Sequence, residues 1–324
     1  MSQSPRFLAP FEQGLLERPA SGRALVLRPV STIGLNKLAD ELLLEQGFAP
    51  QFKQFEAAGY SVTPRAEGKF AMVLVQLTRS KAENLYNIAR ACEMSEGTVL
   101  VNGAKTDGIE STLKQVRKVT TVEVISKSHG KVFWFEACEM PQEWLAAGTL
   151  SANKDGFITQ AGMFSAEKID GGSALLAPYL KGLKGRVADL GAGWGWLAAQ
   201  ALGPDVSEMH LFEAEHKALE AAKLNLKDAR VQFDWADVLN LPKMAPFDVV
   251  ISNPPFHQSR AAEPEIGMGF IGAAAKILKP KGRLLMVANR QLPYERTLGE
   301  RFKKVTMLEQ TNGFKVFEAS VPKR

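Results

Sequence analysis

A glycine-rich loop directly after a short apolar stretch is the feature that most restricts the fold of this chain. Residues 186–197 read Arg-Val-Ala-Asp-Leu-Gly-Ala-Gly-Trp-Gly-Trp-Leu. The pattern predicts a buried strand, a loop and the start of an Ala-rich helix. Glycines adopt positive φ readily and let a ligand approach the backbone, and the helix N-terminus behind them offers free N–H groups. We therefore expect a parallel α/β sheet that binds a nucleotide-like cofactor at its strand ends.

Two departures from the dinucleotide-binding pattern argue against a nicotinamide cofactor. The third glycine, Gly195, comes one position early, and Trp196 fills its usual place. Asp189 stands two residues before the first glycine, where its carboxylate would repel a pyrophosphate but would suit the ammonium group of a methionine moiety. The residues expected to contact this cofactor are Asp189, Gly191, Gly193 and Gly195.

Acidic residues follow the next two predicted strands. The strand 209–213 ends in Glu213, and the strand 231–233 leads to Asp237. Glu213 is placed to accept hydrogen bonds from ribose hydroxyls, and Asp237 is placed to accept one from an adenine amino group. One such acid by itself is more often a solvated surface residue. Two of them in order after the glycine loop predict a nucleoside site.

Residues 252–257, Ser-Asn-Pro-Pro-Phe-His, follow the apolar run 247–251 and indicate chemistry on a planar amine. The side-chain oxygen of Asn253 and the carbonyl of Pro254 can each accept one N–H of an exocyclic amino group, which restores electron density to its nitrogen. Phe256 offers a ring for stacking. The alternative is that these residues only end a strand and turn the chain. The expected catalytic group is Asn253, Pro254, Pro255 and Phe256.

In this order, the glycine loop, the two acids and the Asn-Pro-Pro-Phe-His sequence resemble class I S-adenosylmethionine-dependent methyltransferases, and in particular the guanine-N2 ribosomal RNA methyltransferases of the RsmC/RlmG group. Further similarity lies in the segments 162–165, 292–294 and 310–317. Trp194 and Trp196 are bulkier than expected of that loop. The resemblance implies S-adenosylmethionine as the cofactor and methylation of a guanine N2 in small-subunit (16S) ribosomal RNA. The implied partner is ribosomal RNA or the small ribosomal subunit.

The resemblance also assigns residues around the site. Phe164 and Ser173 lie in the segment before the glycine loop and are expected to border the cofactor. His257, Tyr294 and Lys315 are expected at the mouth of the site, in contact with RNA.

The first half of the chain repeats the element order of the second half but lacks its motifs. Its first strand is followed by Arg-Pro-Val at 28–30 in place of the glycine loop, and Leu-Thr-Arg at 77–79 stands where Asn-Pro-Pro-Phe would be. We expect two tandem Rossmann-like α/β methyltransferase domains. A degenerate copy at 1–145 would bind RNA or be structural, and a catalytic copy would occupy 150–324. The alternative is an unrelated α/β domain with chance similarity.

The composition fits an enzyme of the cytoplasm. The net charge is +5, the hydrophobic fraction is 45%, and no apolar run reaches membrane-spanning length. Two cysteines and four histidines without ligand spacing predict no metal site, and we expect a monomer. The rival functions are methylation of a guanine in large-subunit (23S) RNA, methylation of an adenine N6 or a glutamine amide, a nicotinamide oxidoreductase, and a non-catalytic RNA-binding assembly factor.

Overall fold

The computed structural model describes residues 4–255 and 264–323. The chain divides into two compact units. The first comprises Met1–Thr149 with Gln160–Gly162, and the second comprises Leu150–Thr159 with Met163–Arg324. Within the described ranges, no helix is both long enough and apolar enough to cross a membrane.

The first unit is built on a seven-stranded sheet in the order β3-β2-β1-β4-β5-β7-β6. Strands β1 to β5 run parallel, and β6 and β7 form an antiparallel hairpin at one edge. The strands are β1 Arg23–Leu27, β2 Glu41–Glu45, β3 Ser61–Thr63, β4 Phe70–Gln76, β5 Ser95–Ala104, β6 Glu123–Lys127 and β7 Gly130–Glu136. The helices are α1 Ala9–Glu12, α2 Ala49–Ala57, α3 Lys81–Met94, α4 Ile109–Val116 and α5 Gln142–Ala146.

The second unit contains a seven-stranded sheet in the equivalent order, β12-β11-β10-β13-β14-β16-β15, and a small antiparallel pair, β8-β9. Its strands are β8 Ser151–Ala152, β9 Ile158–Thr159, β10 Gly185–Leu190, β11 Val206–Glu213, β12 Val231–Trp235, β13 Phe247–Ser252, β14 Leu278–Asn289, β15 Phe302–Gln310 and β16 Phe314–Pro322. Its helices are α6 Gly171–Leu176, α7 Trp196–Ala201, α8 His216–Asn225, α9 Pro264–Ile277 and α10 Tyr294–Arg301. The prediction of two tandem Rossmann-like α/β domains is confirmed.

The central strands of the second sheet are apolar on both faces because helices cover both faces. Val187 and Ala188 are neighbours in β10 and are both fully buried. Val187 packs in a core that includes residues of α7 and α8. Ala188 packs in a separate core with residues of α9 and α10. Successive side chains of a strand point to opposite faces, so each face of the sheet has its own hydrophobic core.

Strand register relates the two units position by position. Leu27 of β1 pairs with Val75 of β4, and Leu190 of β10 pairs with Ser252 of β13. The residue after Val75 therefore corresponds to the residue after Ser252. The equivalent of Asn253 is Gln76, and the expected alignment with 77–79 is wrong by one position.

The order of the second sheet reverses between β10 and β13, which are adjacent and parallel. In open α/β sheets, ligands bind at the carboxyl ends of the strands where the strand order reverses. The glycine loop follows β10 and Asn253 follows β13, so the fold brings both sequence motifs to this crevice. At the far edge, β15 and β16 form an antiparallel hairpin.

Candidate active site

The ends of three neighbouring strands bring the predicted residues together. Leu190, at the end of β10, pairs with Phe212 on one side and with Ser252 on the other. The buried hydroxyl of Ser252 donates to the carbonyl of Leu190 over 2.8 Å, which ties the two strand ends together. Glu213 and Asn253, which are the next residues after Phe212 and Ser252 in the chain, therefore flank the glycine loop.

The glycine loop requires its glycines. The φ angles of Gly191, Gly193 and Gly195 are 73°, 57° and 88°, in the left-handed region that residues with a side chain rarely adopt. A Cβ at Gly191 would lie 3.0 Å from the ring of Phe270. A Cβ at Gly193 would meet no atom within 4 Å, so this part of the backbone borders open space. A ligand can approach the loop at Gly193.

Glu213 holds the loop from the neighbouring strand. One of its carboxylate oxygens accepts from the backbone N–H of Gly193 over 2.7 Å, and the other accepts from that of Glu215, also over 2.7 Å. Burial raises the pKa of Glu213, and the backbone donors oppose that shift. Each carboxylate oxygen keeps a further lone pair, with which it can accept from a hydroxyl group.

Asp189 is a fully buried carboxylate without a hydrogen bond to any described residue. Burial raises its pKa to about 8, and the charge of Glu213 contributes to the rise. The amide of Ala198 opposes the shift, although it makes no hydrogen bond of normal geometry. An unpaired buried carboxylate is costly, and a cationic group beside it would remove much of that cost.

Asp237 lies just beyond β12 and stabilises a turn. Its side chain accepts from the backbone N–H of Leu239 over 2.9 Å and from the amide nitrogen of Asn240 over 2.6 Å. Lone pairs remain on both carboxylate oxygens, so Asp237 can still accept from an amino group.

Asn253 is oriented by two residues that precede the glycine loop in the sequence. Its Nδ2 donates to Asp170 Oδ2 and to Ser173 Oγ, each over 2.9 Å. No described residue donates to its Oδ1. Pro254, which follows, is buried, and Pro255 is exposed. The amide nitrogen of Asn253 is fully used, and its oxygen remains as an acceptor at the strand end.

The residues assigned from the resemblance have varied environments. The ring of Phe164 is 59% exposed, and its carbonyl accepts from Trp194 Nε1 over 3.0 Å. Ser173, expected at the cofactor, contacts Asn253. Lys315 is paired with the carboxylate of Glu295. Phe256 and His257 lie outside the described residues.

The expectation that Tyr294 lies at the mouth of the site is wrong. Its side chain is fully buried in the core formed with α9. A Cβ at Gly267 would lie 2.0 Å from the Tyr294 hydroxyl, so the ring fills the space that the glycine leaves. Tyr294 is a packing residue in this structure.

Two features of the site were not predicted from the sequence, the contacts of Asp170 and the packing of Trp194. The pattern Asp-Gly-Gly-Ser at 170–173 is a helix N-cap signal that predicts the bond from the Ser173 N–H to Asp170. The bulk of Trp194 also has a structural reason. Its ring packs with Met163, Ala218 and Ala221 in a small core that fixes the segment before the glycine loop. No local sequence signal predicts that packing.

Comparisons with known proteins agree with this geometry. A family model of the methyltransferase small domain matches residues 154–318. The ribosomal RNA small subunit methyltransferase C of Shewanella sp. (strain MR-4) is 31% identical over 266 residues, which cover 78% of this chain and 77% of the relative. The protein of the same name from Acinetobacter baumannii (strain AYE) is 26% identical over 270 residues, covering 79% and 80%.

A solved structure is similar along nearly the whole chain. The T. thermophilus 16S rRNA N2 methyltransferase RsmC, in complex with AdoMet and guanosine, aligns with a TM-score of 0.80 and 25% identity. The alignment covers 94% of this chain and 90% of that one. The family and the enzyme class predicted from the sequence are confirmed. This chain belongs to the ribosomal RNA small subunit methyltransferase C family.

Proposed function

We propose that the second unit transfers a methyl group from S-adenosylmethionine to the exocyclic N2 of a guanine in small-subunit ribosomal RNA. The observation that carries this proposal is the Asn253 amide, whose nitrogen is fixed by two acceptors while no described residue donates to its oxygen. The relatives named for small-subunit RNA, and the similar structure in complex with AdoMet and guanosine, support the same substrate.

The cofactor site that we propose consists of residues around the β10 end. The open backbone at Gly193 accommodates the approach of a ligand, and Glu213 accepts from ribose hydroxyls. Asp189, a buried carboxyl group that forms no hydrogen bond of normal geometry with a described residue, fits a group that brings a positive charge. Asp237 accepts from the adenine amino group. Phe164 borders the cofactor through its exposed ring.

The chemistry that we propose for the chain is mainly orientation. When bound, S-adenosylmethionine supplies an electrophilic methyl group on a positively charged sulfur. Asn253 Oδ1 accepts one N–H of the guanine amine, and the carbonyl of Pro254 accepts the other. These two bonds favour localisation of the nitrogen lone pair, which forms the new N–C bond while the C–S electron pair goes to sulfur. The nitrogen then loses one proton to water.

For the first unit we propose an RNA-binding or structural role without catalysis. It carries Arg-Pro-Val where the second unit has its glycine loop. Arg79, Lys81 and Lys105 are the cations that we propose for contact with RNA.

We also propose that the protein acts as a monomer in the cytoplasm. Among the described residues, no group of three potential metal ligands occurs.

The test is to identify the nucleoside that receives the methyl group. Ribosomal RNA or small subunits from cells that lack the protein are incubated with the purified chain and S-adenosylmethionine labelled in its methyl group, then digested to nucleosides. The proposal predicts label in N2-methylguanosine of 16S RNA alone. Label in 23S RNA, in N6-methyladenosine or in protein glutamine would contradict it in favour of one of the other methyltransferases. Binding to RNA without any transfer would support a non-catalytic assembly factor.

A further inference from the structure

We infer that Asp170 and Ser173 are positioning residues for methyl transfer, because they fix the Asn253 amide with its oxygen toward the substrate and increase the acceptor strength of that oxygen. The inference rests on the proposed function and assigns to these two side chains a role separate from cofactor binding. Neither side chain is proposed to touch the reacting atoms. Both act through Asn253.

The orientation of the amide follows from the chemistry of its two neighbours. The Nδ2 atom of Asn253 carries two N–H groups, and two acceptors lie 2.9 Å from it, Asp170 Oδ2 and Ser173 Oγ. If the amide were flipped, its carbonyl oxygen would face a carboxylate, with repulsion in place of a charge-assisted hydrogen bond. One orientation is therefore strongly preferred, and Oδ1 is held in place before a substrate arrives.

The charge of Asp170 also changes the electronic character of the amide. A carboxylate that accepts from Nδ2 favours the resonance form with more negative charge on Oδ1, because hydrogen bonds in a chain polarise one another. The substrate amine gains positive charge as its nitrogen bonds to the methyl carbon. A more negative Oδ1 stabilises that developing charge more than it stabilises the ground state, and such a difference accelerates the reaction.

Asp170 is itself held in place by the start of α6. It is the N-cap of this helix, and its Oδ2 accepts from the backbone N–H of Ser173 over 2.8 Å. A Cβ at Gly172 would lie 3.0 Å from the ring of Phe314 and 3.1 Å from Asp170 Oδ2. Only glycine fits there without displacement. Phe314, at the start of β16, therefore packs closely against the start of α6.

Three variants separate the contributions of the Asp170 charge, of the hydrogen-bond acceptors for Asn253 and of the N-cap of α6. Asp170→Asn keeps an oxygen that can cap α6 and accept from Asn253, but it removes the charge. Ser173→Ala removes one acceptor and keeps the backbone N–H. Asp170→Ala removes the cap and an acceptor together. The matched control is Ser80→Ala, which removes the side chain that caps α3 in the first unit.

The expected result is a loss of rate without a loss of binding. We expect kcat to fall about tenfold in Asp170→Asn and in Ser173→Ala, and about a hundredfold in Asp170→Ala. The Kd for S-adenosylmethionine, measured by calorimetry, and the KM for RNA should each change by less than about threefold. Ser80→Ala should keep the kcat of the unmodified protein.

A second readout needs neither cofactor nor RNA. In protein labelled with ¹⁵N at asparagine side chains, the Asn253 signal is assigned by its absence in Asn253→Asp. Both amide protons are expected to exchange slowly with solvent, since both are hydrogen-bonded. Ser173→Ala should release one of them, and Asp170→Ala should release the other.

The outcomes distinguish this inference from the proposed function. If the Asn253 signal is unchanged in both alanine variants, or if Asp170→Ala keeps full kcat while the unmodified protein is active, the positioning role is wrong and the proposed function stands. If the unmodified protein methylates no ribosomal guanine, the proposed function fails, and the positioning role fails with it.

Discussion

The two units of this chain share one strand order, but the polar side chains at the carboxyl ends of the strands form different hydrogen bonds in each unit. Gln76 stands where the second unit has Asn253. In the first unit, the Gln76 side-chain oxygen accepts from the amide of Asn102, and Arg6 donates to the oxygen of Asn102 over 2.9 Å. The corresponding oxygen of Asn253 accepts no bond from a described residue. The first unit satisfies its amide oxygen internally, whereas the described part of the second unit does not, which agrees with the substrate contact that we propose.

The same contrast appears at the neighbouring strand. Gln46 comes directly after β2, and Glu213 is the last residue of β11, the equivalent strand. The side chain of each accepts from the backbone N–H two residues later. The amide nitrogen of Gln46 donates to the carbonyl of Pro29 over 2.8 Å, while Glu213 accepts from the glycine loop. At both positions the side chain of the first unit forms hydrogen bonds within that unit, as expected where a side chain is not reserved for a ligand.

The largest expected effect comes from removing the amide at the two equivalent positions. Asn253→Ala should lower kcat by about a thousandfold, because a group that acts in the transition state is lost, while the Kd for S-adenosylmethionine stays nearly constant. Gln76→Ala should leave kcat unchanged. Methylation of ribosomal RNA by each variant measures the two rates. If the two variants were equally active, the proposed functional difference between Asn253 and Gln76 would be wrong.

The next effect concerns the position where the first unit has Val26 and the second has Asp189. Asp189→Val should weaken S-adenosylmethionine binding by about a hundredfold, since a buried charge pair with the ligand is lost. Titration calorimetry tests this. Tight binding by the valine variant would mean that Asp189 does not face the cofactor.

The same residue predicts a pH dependence of stability. The pKa of Asp189 in the folded chain is raised from 3.8 to about 8, so across that interval the folded state holds a proton that the unfolded chain has lost. The free energy of unfolding of the cofactor-free protein should therefore contain a contribution that decreases as pH rises through this interval. Asp189→Val should remove it. Urea unfolding at roughly pH 5.5 and pH 8 should show a smaller decrease in the variant.

A smaller effect is expected when the glutamine of the first unit is introduced into the second. Glu213→Gln should weaken cofactor binding by about tenfold, because one carboxylate oxygen that accepts from the Gly193 N–H becomes an amide group. The control is Gln46→Glu, for which the cofactor Kd should equal that of the unmodified protein. If the two substitutions weaken binding equally, the assignment of Glu213 to the ribose fails.

The smallest effect on catalysis is expected at Arg6. Its guanidinium donates to Asn102 and to the carbonyls of Lys127 and Ser128. Arg6→Ala should destabilise the first unit by about 1–3 kcal/mol, because charged hydrogen bonds are lost, and it should leave kcat at the temperature of the assay unchanged. Denaturant unfolding and the methylation assay together check this. A large fall in kcat while the protein remains folded would show that the first unit contributes to catalysis.

The sequence predicted the features that depend on local pattern. The apolar strands, the glycine loop and the order of motifs after it are local, and parallel strand order then dictates which strand ends meet. The duplicated element order was visible for the same reason. The register of the strands could not be predicted, because a run of apolar residues looks the same after a shift of one position. The equivalence of Gln76 and Asn253 became apparent only from the strand pairing in the structure.

Contacts between segments that are far apart in the chain could not be predicted from the sequence. The bond from Asn253 to Asp170 joins residues 83 positions apart. The hydrophobic periodicity of the sequence contains no information on such a pairing. Tyr294 shows the opposite limit. The resemblance placed this tyrosine at the mouth of the site, but Gly267, which has no side chain, leaves space for the ring in the core.

The buried carboxyl group of Asp189 also bears on how long the chain survives without its ligand. Near neutral pH the folded chain keeps this group protonated while the unfolded chain releases the proton, which lowers the free energy of unfolding. The fold therefore opens more often, and each opening exposes the backbone to proteases. A positively charged ligand that binds the closed form suppresses these openings in proportion to its concentration. The cellular supply of the methyl donor would then govern how much of the protein persists as well as how fast it works.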